Sequence, residues 1–173
     1  ERNTAQLIDA LGKGEVDIGF IRPGVGDLDG LRLLRFPDEP MLVAVPVAHP
    51  LAAEAEVPLA ALAREPFVLY PHAVCPGLYE EVQQHCRRVG FQPDLVQEAP
   101  QMASVVNLVA AEMGVSIVPR SMAQVRVAGV AYLPIAGEGP VARLACAMRR
   151  SETAPAVRNF LAMAADPDRA PIG

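Results

Sequence analysis

Cys75 is the side chain whose position in the sequence best suits nucleophilic chemistry, because it directly precedes Pro76 at the predicted start of a helix. The free N–H groups of a helix start lower the pKa of a thiol. A catalytic cysteine also needs a base and a group that orients the base. His72 is close in sequence, but no third residue completes the set. The pattern therefore favours a small residue that lines a pocket, and the chain is not predicted to be an enzyme.

Other reactive arrangements are weaker still. A redox pair of Cys75 and Cys86 would have to span most of a helix, which disulfide geometry resists. The three histidines, His49, His72 and His85, lack the spacing of a metal motif, and no CxxC pair is present. Residues 12–14 and 24–26 do not form a phosphate or dinucleotide loop. The sequence predicts neither a metal nor a cofactor.

Three predicted helix starts carry groups suited to an anionic ligand: Asn3-Thr4, Val74-Cys75-Pro76-Gly77 and Pro100-Gln101-Met102. The N–H groups of a first helical turn and the helix dipole favour a carboxylate. Thr4 is either an ordinary N-cap or a hydroxyl donor to the ligand. Met102 lies on an apolar stripe, so it is either a core residue or a flexible pocket wall. Gln101 points away from that stripe and can donate to an oxygen.

Arg22 and Pro23 follow a short apolar strand at residues 16–21. An arginine at a strand end can hold a carboxylate with two parallel hydrogen bonds. The alternative is a solvated arginine in a glycine-rich loop. The acidic pair Glu80-Glu81 lies on a predicted helix surface, and we expect both carboxylates to be solvated.

Strands alternate with helices along the chain, a pattern typical of an α/β fold with mostly parallel sheets flanked by helices. The most regular helix is predicted at residues 101–113, with Met102, Val109 and Met113 facing inward. A last strand at 141–148 and a helix near 155–164 are predicted to return to the first lobe.

The composition fits a cytosolic, soluble globular protein. The chain has 173 residues, is 51% hydrophobic and has a net charge of −5 with the single lysine Lys13, so DNA binding by this segment is not expected. The apolar run 41–48 is too short for a membrane span, and no signal peptide is seen. We expect disorder only in the tail at 166–173.

Four segments in order resemble the effector-binding domain of LysR-type transcriptional regulators. They are GEVDIGFIRP at 14–23, LVAVPVAHPLA at 42–52, LAALAREPFV at 59–68 and LVAAEMGVSIVP at 108–119. Together they cover nearly the whole chain, which makes the signal specific. The stretches 69–71 and 76–79 are similar to the branch that senses aromatic acids.

The resemblance implies a type 2 periplasmic-binding-protein-like fold of two lobes joined by two crossover strands. Lobe I would be residues 1–65 plus 137–173, and lobe II residues 66–136. A small aromatic or unsaturated carboxylate would bind between them. The effector-binding residues expected on this basis are Asn3, Thr4, Arg22, Pro23, His72, Val74, Cys75, Pro76, Gln101 and Met102.

The same resemblance implies a homodimer or homotetramer in which the first helix of one subunit lies beside the helix near 77–89 of another. DNA would be bound only through an N-terminal winged helix-turn-helix that this chain does not include. The family's first strand, which precedes the first helix, is also missing, and the natural protein is expected to continue upstream. A transport-type solute-binding protein of the same fold is the alternative.

Overall fold

The structure is a computed structural model that describes residues 2–24 and 28–164, so the predicted tail at 166–173 lies outside the described residues. The chain forms two compact units. Unit 1 contains the residues up to Pro37 and those from Leu144 onward, and unit 2 contains Asp38 to Arg143. The chain therefore passes between the units twice, as a fold with two connections requires.

The unit boundaries differ from the predicted ones at 65/66 and 136/137. Residues 38–65 and 137–143 belong to unit 2 because the long strand Glu39–Pro46 forms its hydrogen bonds there. That strand pairs with three other strands of unit 2 and with none of unit 1.

Unit 1 is a three-stranded sheet with one helix near each end of its sequence. Its elements are α1 (Thr4–Gly12), β1 (Ile18–Ile21), β2 (Leu31–Arg35), β9 (Ala145–Arg149) and α4 (Pro155–Ala164). The strand order is β1-β9-β2, and β9 is antiparallel to both neighbours. The last strand and helix thus lie in the same unit as the first helix and strand. Both hydrogen-bonding edges of β9 are thus occupied by β1 and β2.

The core of unit 1 is small and forms between the sheet and α1. Leu11 is fully buried, and Ile21 and Leu31 are buried beside it. Leu7 and Ile8 of α1 lie one helical turn before Leu11 and pack against this cluster.

Unit 2 contains the larger core and the remaining elements. These are β3 (Glu39–Pro46), β4 (Pro66–Leu69), α2 (Pro76–Arg88), β5 (Asp94–Glu98), α3 (Met102–Ala110), β6 (Ser116–Pro119), β7 (Val130–Pro134) and β8 (Val141–Ala142), with short 3₁₀ turns at Pro50–Ala53, Leu59–Leu62 and Arg120–Gln124. Sheet pairing runs β6-β3-β7, with β8 on β3 and a separate β4-β5 pair.

Strand orientation differs from the mostly parallel pairing that the sequence predicts. Among the described strands only β4 and β5 form a parallel ladder, and all other ladders are antiparallel. Parallel neighbours need a crossover connection, which is usually a helix. Crossover helices of this kind connect β4 to β5, through α2, and β5 to β6, through α3. An isolated parallel bridge between Phe67 and Val115 extends this arrangement toward β6.

Gly114 allows the backbone at Val115 to approach β4 closely enough for this bridge. A Cβ atom on Gly114 would lie 2.5 Å from the carbonyl oxygen of Pro66, and its φ is +155°. Only glycine allows so close an approach of the two backbones. The adjacent Val115 N–H then donates to that same Pro66 oxygen at 2.8 Å.

The predicted long helix ends earlier than expected. α3 stops at Ala110, and Glu112 follows it with a φ of +60°. Met113 therefore lies beyond the helix and is 44% exposed, so the prediction that it faces inward is wrong. Val105, Val106 and Val109, which the same apolar spacing places on the inward face, are buried.

Every helix in residues 2–24 and 28–164 is too short or too polar to span a membrane.

Candidate functional site

Asn3 is the N-cap of α1. Its side-chain oxygen accepts a hydrogen bond from the N–H of Gln6 at 3.0 Å, and the Gln6 side chain accepts from the N–H of Asn3 at 2.9 Å. This capping box satisfies two of the free N–H groups at the helix start. The side-chain oxygen of Asn3 is therefore occupied by its own helix.

Thr4 is the first residue of α1, and it connects the helix to the end of β1. Its hydroxyl oxygen accepts a hydrogen bond from the backbone N–H of Arg22 at 3.3 Å. A hydroxyl that accepts in this way still has its own proton to donate. Thr4 and Arg22, 18 positions apart in sequence, are thus brought together as candidate groups in unit 1.

The Arg22 side chain contains a buried nitrogen without a protein partner. Its Nη1 atom makes no hydrogen bond with any described residue and is shielded from solvent. Pro23, next in the chain, is buried. A buried, unpaired nitrogen of a charged guanidinium costs more free energy than a buried, unpaired neutral group does. An acceptor oxygen from outside the protein would remove that cost.

The N-terminus of α2 has no side-chain cap. Cys75 is at the N-cap position without capping the helix, and Pro76 follows it at the first helical position. Proline has no N–H, so the first-turn donors belong to Gly77 and Leu78. At the other end of α2 the basic residues His85, Arg87 and Arg88 complement the helix dipole. The start of α2 keeps donors that an anion can use.

The loop before α2 is held by its own backbone. The N–H groups of Val74 and Cys75 both donate to the carbonyl oxygen of Pro71, at 3.0 and 3.2 Å. His72 is exposed on this loop, where its Nε2 lies 3.2 Å from Glu80 Oε1 and its ring contacts the edge of Tyr79 at 5.4 Å. The structure therefore gives His72 a contact with α2, which the sequence did not predict.

The N-terminus of α3 is likewise uncapped by a side chain. Gln101 is its N-cap and is exposed, and Met102 is half-buried against the core of unit 2. Both predicted roles of Met102, core residue and pocket wall, are compatible with that position.

Helices α2 and α3 both begin at the edge of the sheet where the carboxyl ends of β4 and β5 lie. Leu69 at the end of β4 pairs with Glu98 at the end of β5, and the Ala99 N–H donates to the Leu69 carbonyl oxygen at 3.0 Å. The carboxyl ends of neighbouring parallel strands are where α/β proteins bind ligands. In unit 2 the structure therefore groups Val74, Cys75 and Pro76 with Gln101 and Met102 by topology.

The buried cysteines are not suited to redox chemistry. Burial raises the pKa of the Cys86 thiol to about 12, so this thiol remains protonated at neutral pH. Burial also raises the pKa of Cys146. Along α2, Cys75 and Cys86 are about 16 Å apart at 1.5 Å per residue. A disulfide needs Cα atoms within about 7 Å.

Glu81 was predicted to be solvated, and this prediction is wrong. Its side chain is 12% exposed, and its carboxylate accepts from Arg143 Nη1 at 2.7 Å and from the Val141 N–H at 3.4 Å. Arg143 also lies 3.6 Å from Asp38. Position 81 is three residues after Leu78 and four before His85, both of which are buried. That helical spacing was the signal for its burial.

Sequence reasoning also missed two buried hydroxyls in unit 2. The Oγ of Ser116 and the Oη of Tyr132 are shielded from solvent and have no hydrogen-bond partner among the described residues. Across the part of the chain that the structure describes, no three or more His, Cys, Asp or Glu side chains are grouped closely enough to hold a metal ion.

Comparison with known proteins gives a consistent result. The family model described as "LysR substrate binding domain" matches residues 1–167. The HTH-type transcriptional regulator BudR of Raoultella terrigena is 35% identical over 94% of this chain and 56% of its own length. The Hca operon transcriptional activator HcaR of Escherichia coli is 34% identical over 92% of this chain and 54% of its own. This chain thus spans about half the length of these curated relatives.

Among solved structures, the BenM effector binding domain with its effector benzoate has a TM-score of 0.79 and 25% identity. The match covers 100% of this chain and 83% of that one. The two-unit α/β fold described above is therefore the fold of LysR effector-binding domains.

Proposed function

Because the chain belongs to the LysR substrate-binding domain family, we propose that it binds a small carboxylate effector for a transcriptional regulator. The observation that supports this most directly is the buried, unpaired Nη1 of Arg22, a residue whose backbone N–H donates to the Thr4 hydroxyl. A carboxylate supplies the missing acceptor, and it also accepts from Thr4.

The uncapped helix starts of unit 2 support the same ligand class. The first turns of α2 and α3 present N–H groups without side-chain caps at one edge of the sheet. We propose that both units contain effector-binding groups: Thr4 and Arg22 in unit 1, and the groups around Cys75, Pro76, Gln101 and Met102 in unit 2. Asn3, Pro23, His72 and Val74 shape their surroundings.

The effector is proposed to be aromatic or unsaturated. The half-buried side chains next to the donors, Val74, Pro76 and Met102, provide apolar contact area. The structural likeness to BenM with its effector benzoate supports an aromatic acid.

In the full-length protein, we propose that effector binding shifts the populations of conformations and so biases DNA binding by an N-terminal winged helix-turn-helix. Such a regulator would act in the cytoplasm as a homodimer or homotetramer. In that assembly α1 of one subunit would lie beside α2 of another. The names of BudR and HcaR as transcriptional regulators support this role.

A thermal-shift screen tests the ligand class directly. A ligand that binds only the folded state raises the melting temperature with its concentration. Benzoate, cinnamate and sorbate are compared with benzamide, cinnamamide and sorbamide, which have the same shape without the charge. At least one acid is expected to stabilise the chain while its amide does not. Equal shifts by an acid and its amide, or none by any acid, would overturn the proposal.

A further inference from the structure

A cavity of about 500 Å³ lies within unit 2 and shares no residue with the proposed effector groups. It is lined by Pro40, Met41, Leu42, Arg120, Tyr132, Pro134, Ile135, Gly137, Gly139, Pro140 and Val141. This volume is in the range of small-molecule sites.

Strand register places two hydroxyls on one face of the sheet, and one of these residues, Tyr132, lines the cavity. Ala44 pairs with Ser116 on one side and with Tyr132 on the other, so the three side chains lie on the same face. Leu42 and its partner Pro134 are two residues along the strands, so they lie on that face as well. Of the residues on this face, Leu42, Tyr132 and Pro134 line the cavity.

Both hydroxyls lack a partner. Tyr132 Oη and Ser116 Oγ are shielded from solvent and make no hydrogen bond with a described residue, and Ser116 is fully buried. Burial raises the pKa of Tyr132, so its hydroxyl remains a neutral donor at physiological pH.

Arg120 supplies a positive charge to the same cavity. It follows Pro119 at the end of β6, is exposed, and makes no ion pair or hydrogen bond with a described residue. The carboxylate of Glu39 accepts a hydrogen bond from the N–H of Ser121, the residue after Arg120.

From these observations we propose that the cavity is a second small-molecule site, selective for a carboxylic acid with a hydroxyl or carbonyl oxygen at its far end. The carboxylate pairs with Arg120, the apolar body contacts Leu42 and Ile135, and the far oxygen hydrogen-bonds with Tyr132. This proposal does not depend on the effector site, because its residues are different.

Protein-detected NMR titration tests the second site in the 173-residue chain bearing Arg22→Gln, which weakens the proposed effector site. The probes are 4-hydroxybenzoate, 3-hydroxybenzoate, 4-hydroxyphenylacetate and 5-hydroxypentanoate, with benzoate as the acid that lacks the far oxygen. At least one hydroxy acid is expected to shift resonances of residues lining the cavity more strongly than benzoate. No shift there with any probe at up to about 10 mM would overturn the proposal.

Variants then assign the contacts. Tyr132→Phe and Arg120→Gln should each raise the dissociation constant of the bound hydroxy acid about fivefold or more. Arg126→Gln is the matched control, because it removes the same charge from an exposed arginine of unit 2 outside the cavity. Equal weakening by Arg126→Gln, or none by the other two, would show that the acid binds elsewhere.

Stability of the ligand-free chain gives an independent test. Tyr132→Phe removes an unpaired hydroxyl, so its melting temperature should equal or exceed that of the parent chain. Tyr70→Phe is the matched comparison and should melt lower, because Tyr70 donates to the Leu78 carbonyl oxygen at 3.2 Å. A lower melting temperature for Tyr132→Phe would mean that its hydroxyl already has a partner, which contradicts the proposal.

Discussion

The hydroxyl oxygen of Thr4 accepts a hydrogen bond from the backbone N–H of Arg22 at 3.3 Å, which ties the start of α1 to the residue that follows β1. The same arginine has a buried Nη1 atom without a partner among the described residues. One contact thus fixes the backbone of Arg22 while its side chain keeps a hydrogen-bonding group available. That combination suits a binding residue better than a structural one.

The buried carboxylate of Glu81 should matter more for stability than its neighbour Glu80. Glu81→Gln weakens the hydrogen bonds with Arg143 and Val141, and we expect a loss of about 1–2 kcal/mol in the free energy of unfolding. Glu80→Gln is the matched control on the same helix. Its contacts with His72 and Arg87 are exposed, so the loss should be below about 0.5 kcal/mol.

Urea unfolding of both variants measures the difference. Equal losses would show that the burial of Glu81 contributes nothing, and would contradict the account of the Glu81–Arg143 contact.

Glu112 adopts a left-handed backbone conformation that favours glycine. Its φ is +60°, and the N–H of Met113 bonds back to Leu108 at 3.1 Å, as in a helix C-terminal motif. Glu112→Gly should therefore stabilise the chain by about 1 kcal/mol. Ala111→Gly is the control: Ala111 has a φ of −81°, so glycine there should destabilise by about 0.5–1 kcal/mol.

Chemical denaturation of these two single variants tests whether their free energies of unfolding change in opposite directions. A destabilising Glu112→Gly would mean that the glutamate side chain makes a stabilising contact that outweighs its backbone strain.

The Cys86 thiol should make stability fall as the pH rises through the alkaline range. Its pKa in the folded state is about 12, above the ordinary value of 9.0, so the folded state binds the proton more tightly than the unfolded state. The resulting stabilisation is complete below pH 9 and is lost between about pH 9 and 12. Cys86→Ala should show a shallower decline over that range, measured by denaturant unfolding at several pH values.

Alkylation provides the complementary observation. In the folded chain at pH 8.5, Cys86 should resist iodoacetamide, as a neutral buried thiol does. Rapid labelling of Cys86 under native conditions would contradict the assigned burial.

Much of the secondary structure could be predicted from hydrophobic periodicity. The buried faces of α2 and α4 follow their apolar spacing, with Leu78, Val82 and Val157 buried. The end of α3 could not be predicted correctly, because the apolar spacing continues to Met113 although the helix stops at Ala110. A glutamate at a position that normally favours glycine gave no stop signal.

Strand orientation and the unit boundaries could not be obtained from local patterns. β3 reads as an apolar strand, but its partners β6 and β7 are more than 70 residues away, and pairing at such separation is not encoded in a window of sequence.

The candidate site was only partly predictable. The helix start at Cys75 follows from Pro76 at the first helical position, and the start at Gln101 follows from the apolar spacing that begins at Met102. The contact between Thr4 and Arg22 and the unpaired state of Arg22 Nη1 depend on tertiary packing, so the sequence could indicate the residues but not their geometry.

The central claim is that Arg22 binds the carboxylate of an effector, and isothermal titration of Arg22→Met tests it most directly. Methionine retains much of the apolar stem and removes the unpaired guanidinium. The ligand in this titration is the acid, among benzoate, cinnamate and sorbate, that gives the largest thermal shift. We predict an affinity loss of at least about tenfold, with ligand-free stability unchanged or increased. Unchanged affinity, or lost affinity together with marked destabilisation of the ligand-free chain, would contradict the account.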